Sequence, residues 1–129
     1  MNVVTFWAEG QPVPYNRESA RYGRTHPRNA AWRRAIQGAY LEAVRFNLTP
    51  ATGPVTMAIQ FYGARSGCDG DNLSKEVLDA LNRCAYEDDS QIRRCVWEIA
   101  DWRARGQKPT GKPADRKRGV MVTLEAAQC

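Results

Sequence analysis

The amino-acid sequence predicts one small mixed α/β (α+β) domain over residues 1–129, in which a sheet of about four strands packs with two helices. The 129 residues, of which 43% are hydrophobic, suffice for one buried core but not for two. Segments with strand-type alternation and segments with helix-type recurrence follow one another in the order β-α-β-α-β-β. No apolar run approaches the length of a membrane span, so we expect no membrane partner.

The N-terminal half of the chain contains two strands and one helix. A β-branched and aromatic run from Val3 to Ala8 predicts the first strand, and residues 10–28 form a long basic loop that is rich in proline. From Asn29 to about Asn47 apolar residues recur every four positions, which indicates an amphipathic helix with Asn29 as its N-cap. Apolar and polar side chains alternate between Val55 and Tyr62, as is typical of a strand.

The C-terminal half adds a second helix and two more strands. A loop at 63–70 precedes a helix that Asp71 or Asn72 caps and that reaches about Cys84. The remaining elements are a turn at 88–91, a strand from Ile92 to Trp102, a basic loop at 103–117 and a strand from Gly119 to Leu124. We interpret the tryptophans of the third strand, Trp97 and Trp102, as core residues.

The charge distribution favours a polyanionic partner. The chain has a formal net charge of +5 and a pI near 9.3, which makes nucleic acid or an anionic surface the natural partner class. Basic side chains crowd residues 17–34 and 103–118, and an acidic centre lies between these two segments. This arrangement suggests phosphate-binding walls on either side of a carboxylate site.

The cysteines do not indicate a zinc site or a disulfide framework. They are Cys68, Cys84, Cys95 and Cys129. No CxxC pair occurs, and the lone His26 cannot complete a Cys/His zinc pattern with them. Because no signal peptide precedes the chain, we expect free thiols in a reducing cytoplasm.

The acidic centre is the strongest chemical signal in the sequence. Half of the chain's carboxylates lie between residues 69 and 89, and they include the pairs Asp69 with Asp71 and Asp88 with Asp89. Clustered like charges are unfavourable unless a bound divalent cation offsets them. Oxygen ligands of this kind suit Mg²⁺ or Mn²⁺, which can activate water for phosphodiester hydrolysis. The two pairs can meet only if the chain reverses after Cys84, so their convergence is a hypothesis.

Each of these features also has a purely structural interpretation. Asp69 and Asp71 are suited to cap a helix, and Asp88 with Asp89 could form an ordinary turn. Lys75 stands four residues from Asp71 and from Asp79, so it could form an exposed helix ion pair with either. The basic loops could be solvated surface.

The motifs of the acidic centre resemble those of a known family. The string Asp69-x-Asp71-Asn72-Leu73-x-Lys75, followed by Asp79-Ala80-Leu81 and Asp88-Asp89-x-Gln91, is similar to the RusA family of Holliday junction resolvases. The N-terminal segment agrees through Pro12-x-Pro14, Asn16-Arg17 and Arg24-Thr25-His26. The resemblance covers most of the chain. It implies a small, intimate homodimer that depends on Mg²⁺, for which Mn²⁺ can substitute, and that cuts four-way DNA junctions by paired nicks.

The resemblance also assigns residues. It places the catalytic and metal-binding carboxylates at Asp69, Asp71 and Asp89, with Lys75 as the supporting catalytic lysine. The interval before Asp88 is a residue shorter than the family pattern, so either Asp88 or Asp89 is the ligand, and we favour Asp89. Asp79 more plausibly caps the helix or holds Lys75 than binds metal.

The predicted partners are branched DNA and a second copy of the chain, without an organic cofactor. The predicted DNA-binding residues are Asn16, Arg17, Arg21, Arg24, His26, Arg28, Asn72, Arg103, Arg105, Lys108, Lys112 and Lys117. Two alternatives stay open. One is a non-catalytic basic DNA-binding protein, and the other is a metal-dependent nuclease acting on other branched DNA or on RNA.

Overall fold

The chain folds into a four-stranded mixed sheet with two helices. The computed structural model describes residues 2–15, 26–47, 49–65, 67–100 and 118–127. Its elements are β1 (Asn2–Glu9), α1 (Pro27–Ala43), β2 (Val55–Tyr62), α2 (Gly70–Leu81), a 3₁₀ turn (Asp89–Gln91), β3 (Ile92–Ala100) and β4 (Gly119–Ala126). The predicted mixed α+β class and the order of elements are confirmed.

The strands are arranged in the order β1-β4-β2-β3. β4 pairs antiparallel with both β1 and β2, whereas β2 and β3 are parallel. A parallel pair requires a crossover connection, and α2 provides it between β2 and β3. β3 therefore lies at one edge of the sheet, directly after the segment that carries Asp88 and Asp89.

Both helices share one hydrophobic core with one face of the sheet. Alternate residues of β2, among them Ile59 and Phe61, are fully buried, and they join Ile36 of α1 and Val77 of α2 in a single cluster. The ring of Phe6 packs edge-on against Tyr40 of α1 at a centroid distance of 5.8 Å. The apolar residues that alternate along the strands thus pack against the apolar residues that recur every four positions along the helices.

The ends of α1 differ from the sequence prediction. The helix begins at Pro27, with His26 as N-cap, because proline suits the first helical position and the His26 Nδ1 accepts a hydrogen bond from the Arg28 N–H at 3.2 Å. Asn29, the predicted cap, is buried inside the helix. The helix ends at Ala43 because Arg45 and Phe46 adopt positive φ and donate backbone hydrogen bonds to Glu42 and Leu41, which closes a Schellman-type cap.

Smaller differences affect the other elements. α2 ends at Leu81, not Cys84, because Asn82 is extended and Arg83 has a φ of 64°. β4 continues to Ala126, two residues beyond the predicted Leu124. Residues 101–117, with the predicted end of the third strand and the second basic loop, lie outside the described residues.

The expectations about the cysteines and about membrane-spanning segments can be compared with the described residues. Cys68, Cys84 and Cys95 are free thiols, as predicted, and burial raises the pKa of the Cys84 and Cys95 thiols. Cys129 lies outside the described residues. Within the part of the chain that is described, no helix combines the length and the apolar character that crossing a membrane requires.

Candidate active site

Asp69 and Asp71 lie at the N-terminus of α2, one on each side of Gly70. Asp69 is the N-cap, and its Oδ1 accepts a hydrogen bond from the Asp71 N–H at 2.9 Å. The cap is therefore Asp69, and the prediction of Asp71 or Asn72 as cap is wrong by two or three residues. Both carboxylates are exposed. The cap hydrogen bond fixes one Asp69 oxygen, and no described group donates to its Oδ2.

Trp97 of β3 packs directly over the glycine between these two aspartates. A Cβ atom at position 70 would overlap Cζ3 and Cη2 of the indole ring, so only glycine permits this contact. Trp97 itself is 38% exposed. Its interpretation as a core residue is therefore wrong: it covers the first turn of α2 at the edge of the sheet, where one side of the ring meets solvent.

Lys75 lies one helical turn after Asp71 and is exposed. Its Nζ is 4.4 Å from the centroid of the Tyr15 ring, a cation–π contact. The Tyr15 N–H donates to the Asn72 carbonyl at 2.9 Å, which holds the segment ending at Tyr15 across the start of α2. Among the described residues the ion pairs involve Arg33 and not Lys75, so the direct contact of this lysine side chain is with the ring of Tyr15.

Asp88 and Asp89 have different surroundings. Asp88 caps the 3₁₀ turn: its Oδ2 accepts from the Ser90 N–H at 3.0 Å, and its own N–H donates to the Gln91 Oε1 at 2.8 Å. The hydrogen bonds from Ser90 lower the pKa of Asp88. Asp89 follows in the first position of the turn and is exposed. Both carboxylates are exposed, and the choice of Asp89 over Asp88 as the ligand stays a prediction.

Asp89 lies near Asp79, in the second half of α2. Burial raises the pKa of Asp79, the charges of Arg33 and Lys75 oppose that shift, and the charge of Asp89 adds to it. Burial also raises the pKa of Tyr86, and the charges of Asp89 and Asp79 contribute in the same direction. Asp79 is eight residues from Asp71 along the helix, which corresponds to roughly 12 Å of rise. Asp79 is paired with Arg33 at 3.6 Å and does not cap the helix.

The two predicted aspartate pairs thus lie at different places within one chain. Asp69 and Asp71 share the N-terminus of the helix, whereas Asp89 lies by Asp79. In the ranges that the structure describes, no three His, Cys, Asp or Glu side chains form a group suited to a metal ion. The described residues do not bring Asp69, Asp71 and Asp89 together as three ligands. The metal-ligand assignment stays a prediction, and the Asp69–Asp71 pair is its best-defined part.

A buried polar network supports the site from below, and the sequence analysis missed it. Glu76 has no exposed surface and accepts hydrogen bonds from the Arg33 Nε at 3.0 Å and Nη2 at 2.7 Å. It also accepts from the Asn29 Nδ2, which in turn donates to the Pro14 carbonyl at 2.9 Å. The network therefore joins α1, α2 and the segment that carries Tyr15. Glu76 lies on the same helix face as the apolar residues Leu73, Val77 and Ala80. This spacing in the sequence could have indicated that the Glu76 side chain is buried.

Three of the predicted DNA-binding residues fall in the described ranges. His26 and Arg28 are exposed at the start of α1, and Asn72 lies in the first turn of α2. The others lie outside the described residues, and they are Asn16, Arg17, Arg21, Arg24, Arg103, Arg105, Lys108, Lys112 and Lys117. The described residues also include Arg65, an exposed arginine shortly before Asp69 that the sequence analysis did not single out.

Comparison with known proteins agrees with the motif resemblance. The family model described as endodeoxyribonuclease RusA matches residues 9–125, which is most of the chain. A similar curated protein is the uncharacterized protein YqaN of Bacillus subtilis (strain 168). It is 31% identical in an alignment 119 residues long, and the match spans 71% of this chain and 83% of YqaN.

Proposed function

Because this chain belongs to the RusA family of endodeoxyribonucleases, we propose that it resolves four-way DNA junctions by paired, Mg²⁺-dependent cuts. The observation that carries the proposal is the exposed Asp69-Gly70-Asp71 turn at the start of α2, with Lys75 one turn away. Two carboxylates beside a cation at an exposed helix start can receive a metal ion and a phosphodiester together. The net charge of +5 is consistent with a DNA substrate.

The donor set at the start of α2 fits a hard divalent cation. Mg²⁺ is commonly held by one or two carboxylates and completes its shell with water and substrate phosphate, so Asp69 and Asp71 are a sufficient protein contribution. The cap hydrogen bond orients the Asp69 carboxylate through Oδ1, and no described group donates to its Oδ2. Asp89 remains the proposed third carboxylate, although the described residues of one chain do not bring it to Asp69 and Asp71. Bound Mg²⁺ or Mn²⁺ would supply Lewis-acid activation of water and of the phosphodiester.

Lys75 is suited to stabilise charge on the scissile phosphate. The Tyr15 ring restrains its ammonium group at 4.4 Å without neutralising it, as a carboxylate partner would. The backbone hydrogen bond from Tyr15 to Asn72 holds this ring in place. The amino group lies one turn from Asp71, where a phosphate bound at the helix start would lie.

The outer edge of β3 supports a homodimer. Val96, Trp97 and Ile99 are exposed there by 50%, 38% and 44%, and β3 has no described strand on its outer side. If a second β3 pairs antiparallel about a two-fold axis at Val96, Arg94 of each copy lies opposite Glu98 of the other. A two-fold protein presents two equivalent sites to a two-fold junction, which suits paired cuts.

The proposal is tested by cleavage of a labelled synthetic four-way junction with and without Mg²⁺. Asp71→Asn should abolish cleavage, a loss of at least about a hundredfold in rate, while junction binding is retained because the variant removes negative charge. Glu42→Gln, an exposed substitution far along α1, is the control and should cut normally. Cleavage by Asp71→Asn at the wild-type rate would contradict the assignment.

The same assay separates the alternative functions. Binding of the junction without any product in Mg²⁺ would support a non-catalytic DNA-binding protein. Faster cleavage of a fork, a flap or an RNA hairpin than of the junction would support a nuclease with another branched substrate. Linear duplex serves as the reference for both comparisons.

A further inference from the structure

A cavity of about 500 Å³ lies between the segment 9–14 and the first half of α1. Its lining extends to Arg65 and to Cys68, the residue that immediately precedes Asp69. The cavity therefore adjoins the proposed cleavage site without sharing its carboxylates. Its volume falls in the range that is common for sites of small organic groups.

The walls of this cavity combine an aromatic ring with small and apolar side chains. They include Pro12, Val13, Ala31, Trp32 and Ala35. Trp32 is only 4% exposed, yet its Nε1–H has no hydrogen-bond partner among the described residues. The indole nitrogen and most of the ring are therefore covered by protein, and the small and apolar side chains around the ring form the surface that a ligand would contact.

The glycine at position 10 and the side chain of Gln11 shape the cavity further. Gly10 has a φ of 140°, and a Cβ there would lie 3.2 Å from the Trp32 Cζ3, so a side chain at this position would crowd the ring. Gln11 donates from Nε2 to the Gly63 carbonyl at 3.1 Å and accepts from the Arg118 Nη1 at 2.7 Å. These bonds tie the segment that forms one wall to the end of the β2–β4 pair at which β2 finishes and β4 begins.

The rim of the cavity is basic. Arg28 and Arg65 line it and are exposed, with Glu9 as the one acidic residue of the lining. Guanidinium groups at the mouth of an apolar cavity are suited to a ligand with an apolar ring and an anionic substituent. A nucleotide has this composition.

We propose that this cavity binds a single unstacked nucleobase of the branched DNA, next to the phosphate that is cut. The inference rests on the proposed function and adds a base-binding site to it. Burial of the base against Pro12, Ala31 and Ala35 would hold it, while Arg28 and Arg65 contact the adjoining phosphates. Unstacking a base is least costly where pairing is already interrupted, so the site favours the branch point over continuous duplex.

The test compares junction binding with and without a base at the branch point. Anisotropy in EDTA, where no cleavage occurs, gives the Kd for an intact junction, for junctions with one abasic analogue beside the crossover, and for a junction with the same analogue in a distal arm. We expect one position beside the crossover to weaken binding roughly five- to hundredfold, because the apolar contacts of the buried base are then lost. The distal analogue should leave the Kd unchanged.

A cavity-filling variant locates the effect. Ala35→Leu places a larger side chain in the cavity, and it should bind the intact junction as weakly as wild type binds the abasic one. Ala39→Leu, one turn further along α1 and outside this cavity, is the matched control and should behave as wild type. Circular dichroism confirms that each variant is folded.

The outcomes separate this inference from the proposed function. Equal Kd values for intact and abasic junctions in the wild-type protein would overturn the base-binding site while junction resolution stands. An abasic effect that persists unchanged in Ala35→Leu would also overturn it, since the base would then bind elsewhere. Failure of the wild-type protein to bind any four-way junction would overturn both.

Discussion

Asp69 uses one carboxylate oxygen to cap α2 and leaves the other exposed. The structural interpretation of this residue and the catalytic one are therefore compatible. A capping hydrogen bond fixes the rotamer of the side chain, and a fixed carboxylate loses less entropy when it binds a metal ion. The motif Asp-x-Asp would then owe its spacing to both requirements, since the second aspartate supplies the N–H that the first one accepts from.

A substitution can separate the two roles of Asp69. Serine is also a good N-cap, so Asp69→Ser should change the free energy of unfolding by less than about 0.5 kcal/mol, whereas Asp69→Ala should lower it by about 1 kcal/mol. Both variants should lose junction cleavage, because neither offers a carboxylate to the metal. Urea unfolding and the cleavage assay measure the two effects. Full activity of Asp69→Ser would mean that Asp69 acts only as a cap.

Two glycines of the helices should respond to alanine in opposite directions. At Gly70 a Cβ would overlap the Trp97 ring, and we expect Gly70→Ala to lower the free energy of unfolding by about 1–3 kcal/mol. At Gly38 of α1 nothing lies within 4 Å of an added Cβ, so Gly38→Ala should stabilise the protein by about 0.5–1 kcal/mol. Equal effects of the two substitutions would contradict the close packing of Trp97 on the first turn of α2.

At the scale of the elements, periodicity predicted which segments are helices and strands, but not the residues at which they begin and end. The recurrence of Trp32, Ile36 and Tyr40 identified α1 correctly. The position of Asn29 before that recurrence resembled an N-cap, yet its amide is used by Pro14 and Glu76 across the fold. A local sequence pattern does not show that a side chain will form a hydrogen bond with a carbonyl distant in the sequence.

The same limit applies to the candidate site. Motif reading located Asp69, Asp71 and Lys75, and the structure places all of them at the start of α2. The partner of Lys75 could not be predicted, because Tyr15 reaches it through a backbone pairing with Asn72 over a long sequence separation. Helical spacing suggested an aspartate partner instead.

The network around Glu76 should make a large contribution to stability. Glu76→Gln removes the charge that Arg33 contacts twice, and the buried amide cannot accept from both Arg33 and Asn29 equally well. Because Arg33 is 29% exposed and can be partly solvated, we expect a loss of about 1–3 kcal/mol in the free energy of unfolding. The control Glu42→Gln, on the exposed face of α1, should stay within about 0.5 kcal/mol. A Glu76→Gln variant as stable as wild type would exclude the network as a stabilising feature.

At the scale of the whole molecule, the two edge strands of the sheet, β1 and β3, differ in the number of large apolar side chains that they expose. The alternation of residues 92–100 predicts a strand with two apolar faces, but not that it lies at an edge, since strand order depends on the crossover through α2. β3 exposes Val96, Trp97 and Ile99, whereas the one large apolar residue exposed on β1 is Val3. Trp97 also contacts the turn between Asp69 and Asp71. A partner on the β3 edge would therefore lie beside the proposed catalytic residues.

This asymmetry leads to a test of the dimer that distinguishes the edges. Val96→Lys places two ammonium groups opposite each other at the proposed axis and removes apolar burial from both copies, so the dimer Kd should rise at least about a hundredfold. Light scattering after size exclusion should then report a monomer. Val3→Lys, equally exposed on the β1 edge, should remain a dimer. If instead Val3→Lys dissociates and Val96→Lys does not, the copies associate through β1. Loss of paired cuts in Val96→Lys, with single nicks remaining, would further indicate that each protomer carries a complete site, whereas loss of all cleavage would indicate that the site requires the partner.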